Sequence, residues 1–289
     1  RLTSGSAMVA SNLQLYAANL LLDGGGSLHM DSSLVQDNHH TSGIISATNG
    51  DFVHLRRCTV SDYSLTSFQA TPTLIEECLF EDMTETGIKL SGNAATQTLS
   101  RTTVRHAADA MTEGIQFNNC NNAIVDNCLL EDLTDKGLYL NGGSGEIRKS
   151  LLNRCENGTA TQGSTSLLNI NNTIVHSTNS FSGAQDVTNS IAWYTPNAAI
   201  GTPATIAYSD VQQPGTNVYD GTGNLSRDPW FRNPAEDDYR LLPISPALGS
   251  GLGGADMGAC YPVGANPAVP TDVQLLAETN KVLVSWTDN

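Results

Sequence analysis

Two acidic columns recur along this chain and are the residues best suited to chemistry. The first reads Asp37, Asp62, Asp82, His106, Asp132 and Arg154, and the second reads Glu85, Glu113, Asp135 and Glu156. Hard oxygen donors of this kind suit Ca²⁺, for which Asp62, Asp82, Glu85, Asp132 and Asp135 are the candidate ligands. Carboxylates at a set separation also serve glycoside hydrolysis, and Asp82, Asp109 and Asp132 are the candidates for that role. Elimination from a uronate needs a neutralised carboxylate and a base that takes the proton alpha to it. Lys89 and Lys136 are the basic residues available, but Lys136 follows Asp135 and lies near Asp132, so it is as well placed to be paired as to act. The structural reading of the same acids is that they close turns by accepting backbone N–H groups. Stacked aspartates of one charge then need hydrogen bonds, protonation, a cation or divergent orientations. His39 and His40 supply half a metal site, yet adjacent side chains diverge, and the pair reads as exposed loop.

The elements that must position these residues come from a six-residue pattern, apolar-x-x-[Cys/Ser/Thr]-x-apolar, between Met30 and Val211. Its fourth position is Ser33, Cys58, Cys78, Thr102, Cys128, Ser150, Thr173, Ser190 and Ser209. Self-similarity at this spacing marks a solenoid, each repeat being one coil. The segments FVHLRRCTV, TLIEECLF, AIVDNCLL and EIRKSLL are short, β-branched and alternating, so the coils are built of strands rather than helix pairs. A second strand follows a glycine in five repeats, at Gly43, Gly87, Gly114, Gly137 and Gly158. Each coil therefore bends at least twice, with glycine expected to supply backbone conformations other residues resist.

Over residues 10 to 212 this pattern resembles the right-handed parallel β-helix repeat proteins of the pectate-lyase-like superfamily. The resemblance implies an all-β, right-handed parallel β-helix. It implies little about activity, because lyases, hydrolases, epimerases, adhesins and phage fibres share the fold. The run DPWF at 228–231, DYRL at 238–241, SPA at 245–247 and ADMGAC at 255–260 resembles the tail after β-helix repeats in large secreted or cell-surface bacterial proteins. PTDVQLLAETNKVLVSWTDN resembles the first two strands of a fibronectin type III domain, with Trp286 at the core position, or else it is a terminal hairpin. The expected organisation is a β-helix over 1–223, its cap or tail over 224–262, a Pro/Gly/Ala linker over 263–270 and a partial β-sandwich-like segment over 271–289.

The chain carries 29 acidic against 14 basic residues, a net charge of −15. That balance and the lack of a basic face disfavour nucleic acid and any polyanion not bridged by cations. No apolar stretch reaches membrane-spanning length, so insertion in a membrane is not expected. Arg1, with neither a starting Met nor a signal peptide, reads as an internal or processed start. Cys58, Cys78 and Cys128 share the fourth position with Ser and Thr and are expected to be free, buried fillers, since stacked parallel residues rarely meet disulfide geometry. Cys120, Cys155 and Cys260 lie outside that column.

Outward-facing positions alternate in sign from coil to coil: Arg56 and Arg57, Glu76 and Glu77, Arg101, Asp126, then Arg148 and Lys149. Such cross-strand pairs fix register and occupy cations that catalysis would need. Aromatic residues form no row, leaving only a short glycan site near Tyr139 and Lys89. The tail can cap the C-terminal end, while the N-terminal end lacks a cap helix and invites upstream sequence, head-to-tail stacking or strand donation. The resulting expectation is a non-catalytic extracellular or bacterial cell-surface module, a rigid stalk, adhesin or self-assembling subunit, with no required cofactor and Ca²⁺ as a candidate stabiliser. The alternative is a polysaccharide lyase, glycoside hydrolase or glycan-binding β-helix, partnered by a polysaccharide.

Overall fold

The computed structural model describes residues 7–16, 19–23, 25–36, 44–50, 52–62, 65–92, 97–105, 113–195, 204–215, 217–259, 271–278 and 281–287. Asp37, His39, His40, Gly43, His106, Asp109, Cys260 and the linker at 263–270 lie outside these residues. The six-residue pattern folds as a corner. Its third residue adopts a left-handed backbone in coil after coil, at Asn12, Ser32, Arg57, Glu77, Arg101, Asn127, Lys149, Asn171, Asn189 and Tyr208. One such residue turns the chain sharply, so FVHLRRCTV becomes two strands, Phe52–Arg56 and Thr59–Ser61, on different faces. Asn tolerates this conformation best, which accounts for four of the ten positions.

Three parallel faces result, in keeping with at least two bends per coil. The first stacks Ala7–Ser11, Ser27–Asp31, Phe52–Arg56, Thr73–Glu76 and Gln97–Ser100 and continues to Ala204–Ala207. The second runs from Gln14–Tyr16 through Leu34–Gln36 and Thr59–Ser61 to Asp210–Val211. The third begins with Asn19–Asp23 and Ile44–Thr48 and ends at Asn179–Ser182. In the middle of the solenoid the strand Glu113–Asp126 passes unbroken round one corner, and Leu129–Arg148 and Leu151–Ile170 each round two. Ala7–Ser11, Gln14–Tyr16 and Asn19–Asp23 thus supply one strand to each face, and Met8, Ala10, Leu13 and Leu15 are only partly buried, whereas Leu28, Met30 and Val35 one coil inward are fully enclosed.

The fourth position is an internal hydrogen-bond ladder. Each side chain donates to the carbonyl two residues back: Ser33 to Asp31, Cys58 to Arg56, Cys78 to Glu76, Thr102 to Ser100, Cys128 to Asp126, Ser150 to Arg148, Ser190 to Thr188 and Ser209 to Ala207. Many of the same atoms accept the backbone N–H of the preceding coil, as from Leu13 to Ser33, Cys58 to Cys78, Cys78 to Thr102, and Cys128 to Ser150 at 3.0 Å. Any residue with a donor and acceptor on Cβ satisfies a corner amide that would otherwise be buried unpaired. This explains why Ser, Thr and Cys interchange. Cys58, Cys78, Cys120, Cys128 and Cys155 are free and buried. Burial pushes the thiols of Cys128 and Cys155 up to about 12 and that of Cys120 to about 11.

The seventh repeat differs from the pattern-based assignment of Ile170, Thr173 and Val175. Ile147 pairs with Asn169 and Leu152 with Ile174, so the corner is one residue earlier and Asn172 holds the ladder position. Its Oδ1 accepts the Ser150 N–H at 2.9 Å, its Nδ2 donates to Ile147 O, and its own N–H goes to Ser190 Oγ. Asn169 faces inward and donates to Gln185, which also accepts from Thr159. A buried amide network had the appearance of a solvent-facing position.

Gly87, Gly114, Gly137 and Gly158 also correct an expectation. None adopts a left-handed backbone. They stack where the chain enters the third face, and a Cβ on each would lie 2.7 to 2.8 Å from the carbonyl oxygen of the residue stacked against it. Glycine is required there for close approach rather than for conformation.

The tail does more than close the end. Residues 212–226 cap the last coil: Asn224 Oδ1 accepts the Ser209 N–H, Leu225 bridges Asp210, and Tyr219 packs against the main core. Residues 227–259 then run back along the outside of the second face, where Phe231, Tyr239, Ala247 and Met257 form a second core with Leu151, Val175 and Ile191. The pair Phe231–Asn233 and Asp238–Leu241 is antiparallel. Thr271–Glu278 and Lys281–Thr287 form an antiparallel hairpin.

Candidate functional site

The chemistry-bearing side chains gather around the corner between the second and third faces. Asp62, Asp82, Asp132, Arg154, His176 and Tyr194 each occupy this corner with a left-handed backbone. Their alignment follows from the fixed coil register, since equivalent residues stack along a parallel sheet. The acidic column is therefore a corner column. Asp62 accepts from Gln36 Nε2 at 2.8 Å, Asp82 is exposed, and Asp132 is held by Arg154 through Nε at 2.5 Å and Nη2 at 3.1 Å.

Arg154 is the hub of this corner. Its Nη1 lies 2.6 Å from Asp237 of the tail and its Nη2 3.8 Å from Glu131. Asp237 also accepts from Asn153 and from the Tyr239 hydroxyl. Asp132 and Asp237 hold the guanidinium charged, well above its ordinary range. Burial pushes the Glu131 carboxyl up, reinforced by Asp132. Burial acts to raise Asp237, but its bonds from Arg154, Asn153 and Tyr239 win and hold it below the usual carboxylate range. A depressed carboxylate stabilises the folded state above its ordinary range, and that contribution is lost as pH falls through it. The clasp between tail and solenoid thus loosens in acid.

Arg154→Ala removes the one cation that three carboxylates share. Because Arg154 is just over a third exposed, the expected loss of stability is about 1–2 kcal/mol, toward the upper end for a networked surface pair. The measurement is a urea midpoint combined with limited proteolysis, in which cleavage between residues 227 and 259 should quicken. Unchanged proteolysis would show that the tail is held by its apolar core alone.

On the third face, Lys136 Nζ lies 2.5 Å from Asp135 and 3.3 Å from Glu113, and 4.8 Å over the Tyr139 ring. The Tyr139 hydroxyl donates to Gln162. Burial acts to lower the Lys136 ammonium, but the two carboxylates outweigh it and raise it above its ordinary value. A lysine so held keeps its proton at neutral pH and is a poor base. Lys89 sits in register with Gln116, and Gln116 with Tyr139. Beside them Asn141 donates to Asn118, so the outer surface here is amide- and hydroxyl-rich.

Asp132 and Asp135 are thus turned to different cations, and Asp109 lies outside the described residues. Among the described residues no three His, Cys, Asp or Glu side chains converge as a metal group, and Asp62, Asp82, Glu85, Asp132 and Asp135 are not gathered into one. The charge alternation resolves into pairs between successive coils: Arg57 with Asp31, Arg101 with Glu77, Arg105 with Glu81 and Arg148 with Asp126. Sequence reasoning missed the roles of Glu131, Asp237 and Tyr239. The available signal was the row of apolar residues facing outward on the second face, Leu129, Leu151 and Ile191, which requires a cover.

The family described as the right handed beta helix region matches residues 18–183. The chain belongs to the right-handed β-helix family. Among solved structures it is similar to pectate lyase Pel9A, with a TM-score of 0.61 and 12% identity over 90% of this chain and 88% of that one. At that identity the likeness speaks for the fold alone. No curated protein matches the chain. No helix among the described residues is long and apolar enough to cross a membrane.

Proposed function

We propose that this chain is a non-catalytic, extracellular structural module, a rigid solenoid that serves as a stalk or assembly unit at a cell surface. The observation that supports this most is the use made of its cations. Arg57, Arg101, Arg105, Arg148, Arg154 and Lys136 each bridge carboxylates of neighbouring coils. Such bridges are individually weak at a surface. Repeated along a parallel stack they resist sliding of one coil past the next, because a slip of one residue turns each side chain to the other face and parts the pairs.

The test is a polysaccharide screen with pectate and alginate, run beside light scattering with and without Ca²⁺. No turnover together with discrete oligomers is the expected result. Turnover that disappears in Lys136→Ala would overturn it, and a Ca²⁺-dependent mass would bring the acidic corner column into the assembly. A second reading, glycan binding without turnover, is favoured by Tyr139, Gln162 and the Asn118–Asn141 pair on the third face. Calorimetric titration with oligogalacturonate, repeated on Tyr139→Ala, separates the two.

A further inference from the structure

The last coil ends on a carboxyl that the exterior ion pairs do not use. Asp210 lies on the second face beside Ile191 and is fully enclosed. Its Oδ1 accepts the backbone N–H of Arg227 at 3.0 Å, and its Oδ2 is buried without a hydrogen-bond partner. Asp210 is also where the cap attaches. The Val211 N–H donates to Leu225 O, the Leu225 N–H donates to Ser209 O, and the bridge from Asp210 to Leu225 continues the second face by one more rung.

We propose that Asp210 is a proton-operated latch for the end cap: protonated at Oδ2, it seats residues 212–228 on the last coil, and ionised, it weakens that seat and favours exposure of the strand edge beneath. A buried carboxylate with one hydrogen bond and no cation on its second oxygen carries a large desolvation cost, whereas the neutral acid carries little. The charged groups that act on it both come from the tail. Asp228 disfavours its ionisation and Arg227 favours it, while the adjoining strand Ile191–Trp193 contributes no charge. Burial, the dominant cause, pushes the carboxyl up to about 7.

The sign follows from linkage. In an opened cap Asp210 meets water and titrates near about 4, so the closed form binds the proton more tightly. Cap stability is therefore full below that value, falls as pH rises from about 4 to about 7, and is level above. This is opposite in direction to the Arg154–Asp237 clasp, which weakens only at lower pH.

The experiment is amide hydrogen exchange on the full chain from pH 4.5 to 8.5, corrected for the intrinsic rate, read at Val211, Leu225 and Arg227. Protection should fall by roughly tenfold per pH unit up to about pH 7, a total of about a hundredfold or more, and then level off. Asp210→Asn should remove the slope. A flat wild-type profile, or an Asp210→Asn profile with the same slope, overturns the proposal. Asp228→Asn keeps the test open should Asp210→Asn fail to fold: its level region should begin at lower pH, and no displacement would also count against the latch.

Discussion

Gly137→Ala will destabilise the solenoid by about 1–3 kcal/mol, the usual cost of forcing a methyl group into a filled core, although alanine restricts the unfolded chain more than glycine does. The added Cβ would stand 2.8 Å from Gly158 O, 2.8 Å from Leu152 Cδ2 and 3.1 Å from Cys155 Sγ. The Leu152 methyl can turn aside. The carbonyl cannot, because Leu138 and Thr159 are paired in register immediately beyond it. Relief must then come from widening the gap between two coils of the third face, and the same gap is repeated above and below. Gly114 would meet Gly137 O at 2.7 Å and Gly158 would meet Ser180 O at 2.7 Å. A Gly114→Ala, Gly137→Ala double variant should therefore lose more than the sum of the singles, since neighbouring sites share one strained stack. Urea midpoints of the singles and the double make the comparison. Gly215→Ala is the control: no atom lies within 4 Å of its Cβ, so only its left-handed backbone is strained, at about 1 kcal/mol. A Gly137→Ala midpoint no lower than that of the control would mean that the coils separate freely at this corner, and the stacked glycines would need another explanation.

Legibility from the residues depended on how far each role shows in local chemistry. The corner between the first and second faces was plain, because an apolar pair flanking a small polar residue repeats in every coil from Ser33 to Ser209 except the seventh, where Asn169 and Asn172 replace two of the three. The third face was only half visible: its strand Leu65–Gln69 has no glycine before it, and strands such as Glu113–Asp126 carry two faces in one alternating run. Charge pairing between coils was legible in Arg101 with Glu77 and Arg148 with Asp126 because like positions stack, whereas Arg57 turns to Asp31 of the preceding coil. It did not extend to Arg154, whose third carboxylate, Asp237, lies 83 residues further on. Lys136 was read as equally suited to pairing and to catalysis, and the distinction rests on Glu113, which reaches it from the previous coil. Sequence spacing cannot show which of two acids a long side chain will meet.

The error at the seventh repeat leads to the other large effect. Ile170 and Val175 matched the pattern by type, yet the coil is registered on Asn169, Asn172 and Ile174, so polar residues sit inside and Ile170 faces out. Asn172→Ala should cost about 2–4 kcal/mol. It leaves the Ser150 N–H buried and unpaired, worth about 1–3 kcal/mol, takes from the Ile147 carbonyl the second donor it has besides its strand partner, and opens a small cavity. Asn172→Ser should recover part of this, since a hydroxyl at that position elsewhere serves the preceding coil, as Ser150 serves Cys128. The carbonyl of Ile147 would keep only its strand partner and lose its second donor. Cys128→Ser, at an equivalent ladder position, should change stability by less than about 1 kcal/mol because the hydroxyl replaces both the donor and the acceptor of the thiol. Thermal and urea midpoints of the three variants test one idea, that the column is selected for hydrogen bonding at the corner and not for apolar volume. If Asn172→Ala and Cys128→Ser proved equally mild, the ladder would be incidental to stability. If Cys128→Ser were the more damaging, packing of the sulfur would be what the column conserves in energy, and the tolerance for Ser, Thr and Cys would have to come from elsewhere in each coil.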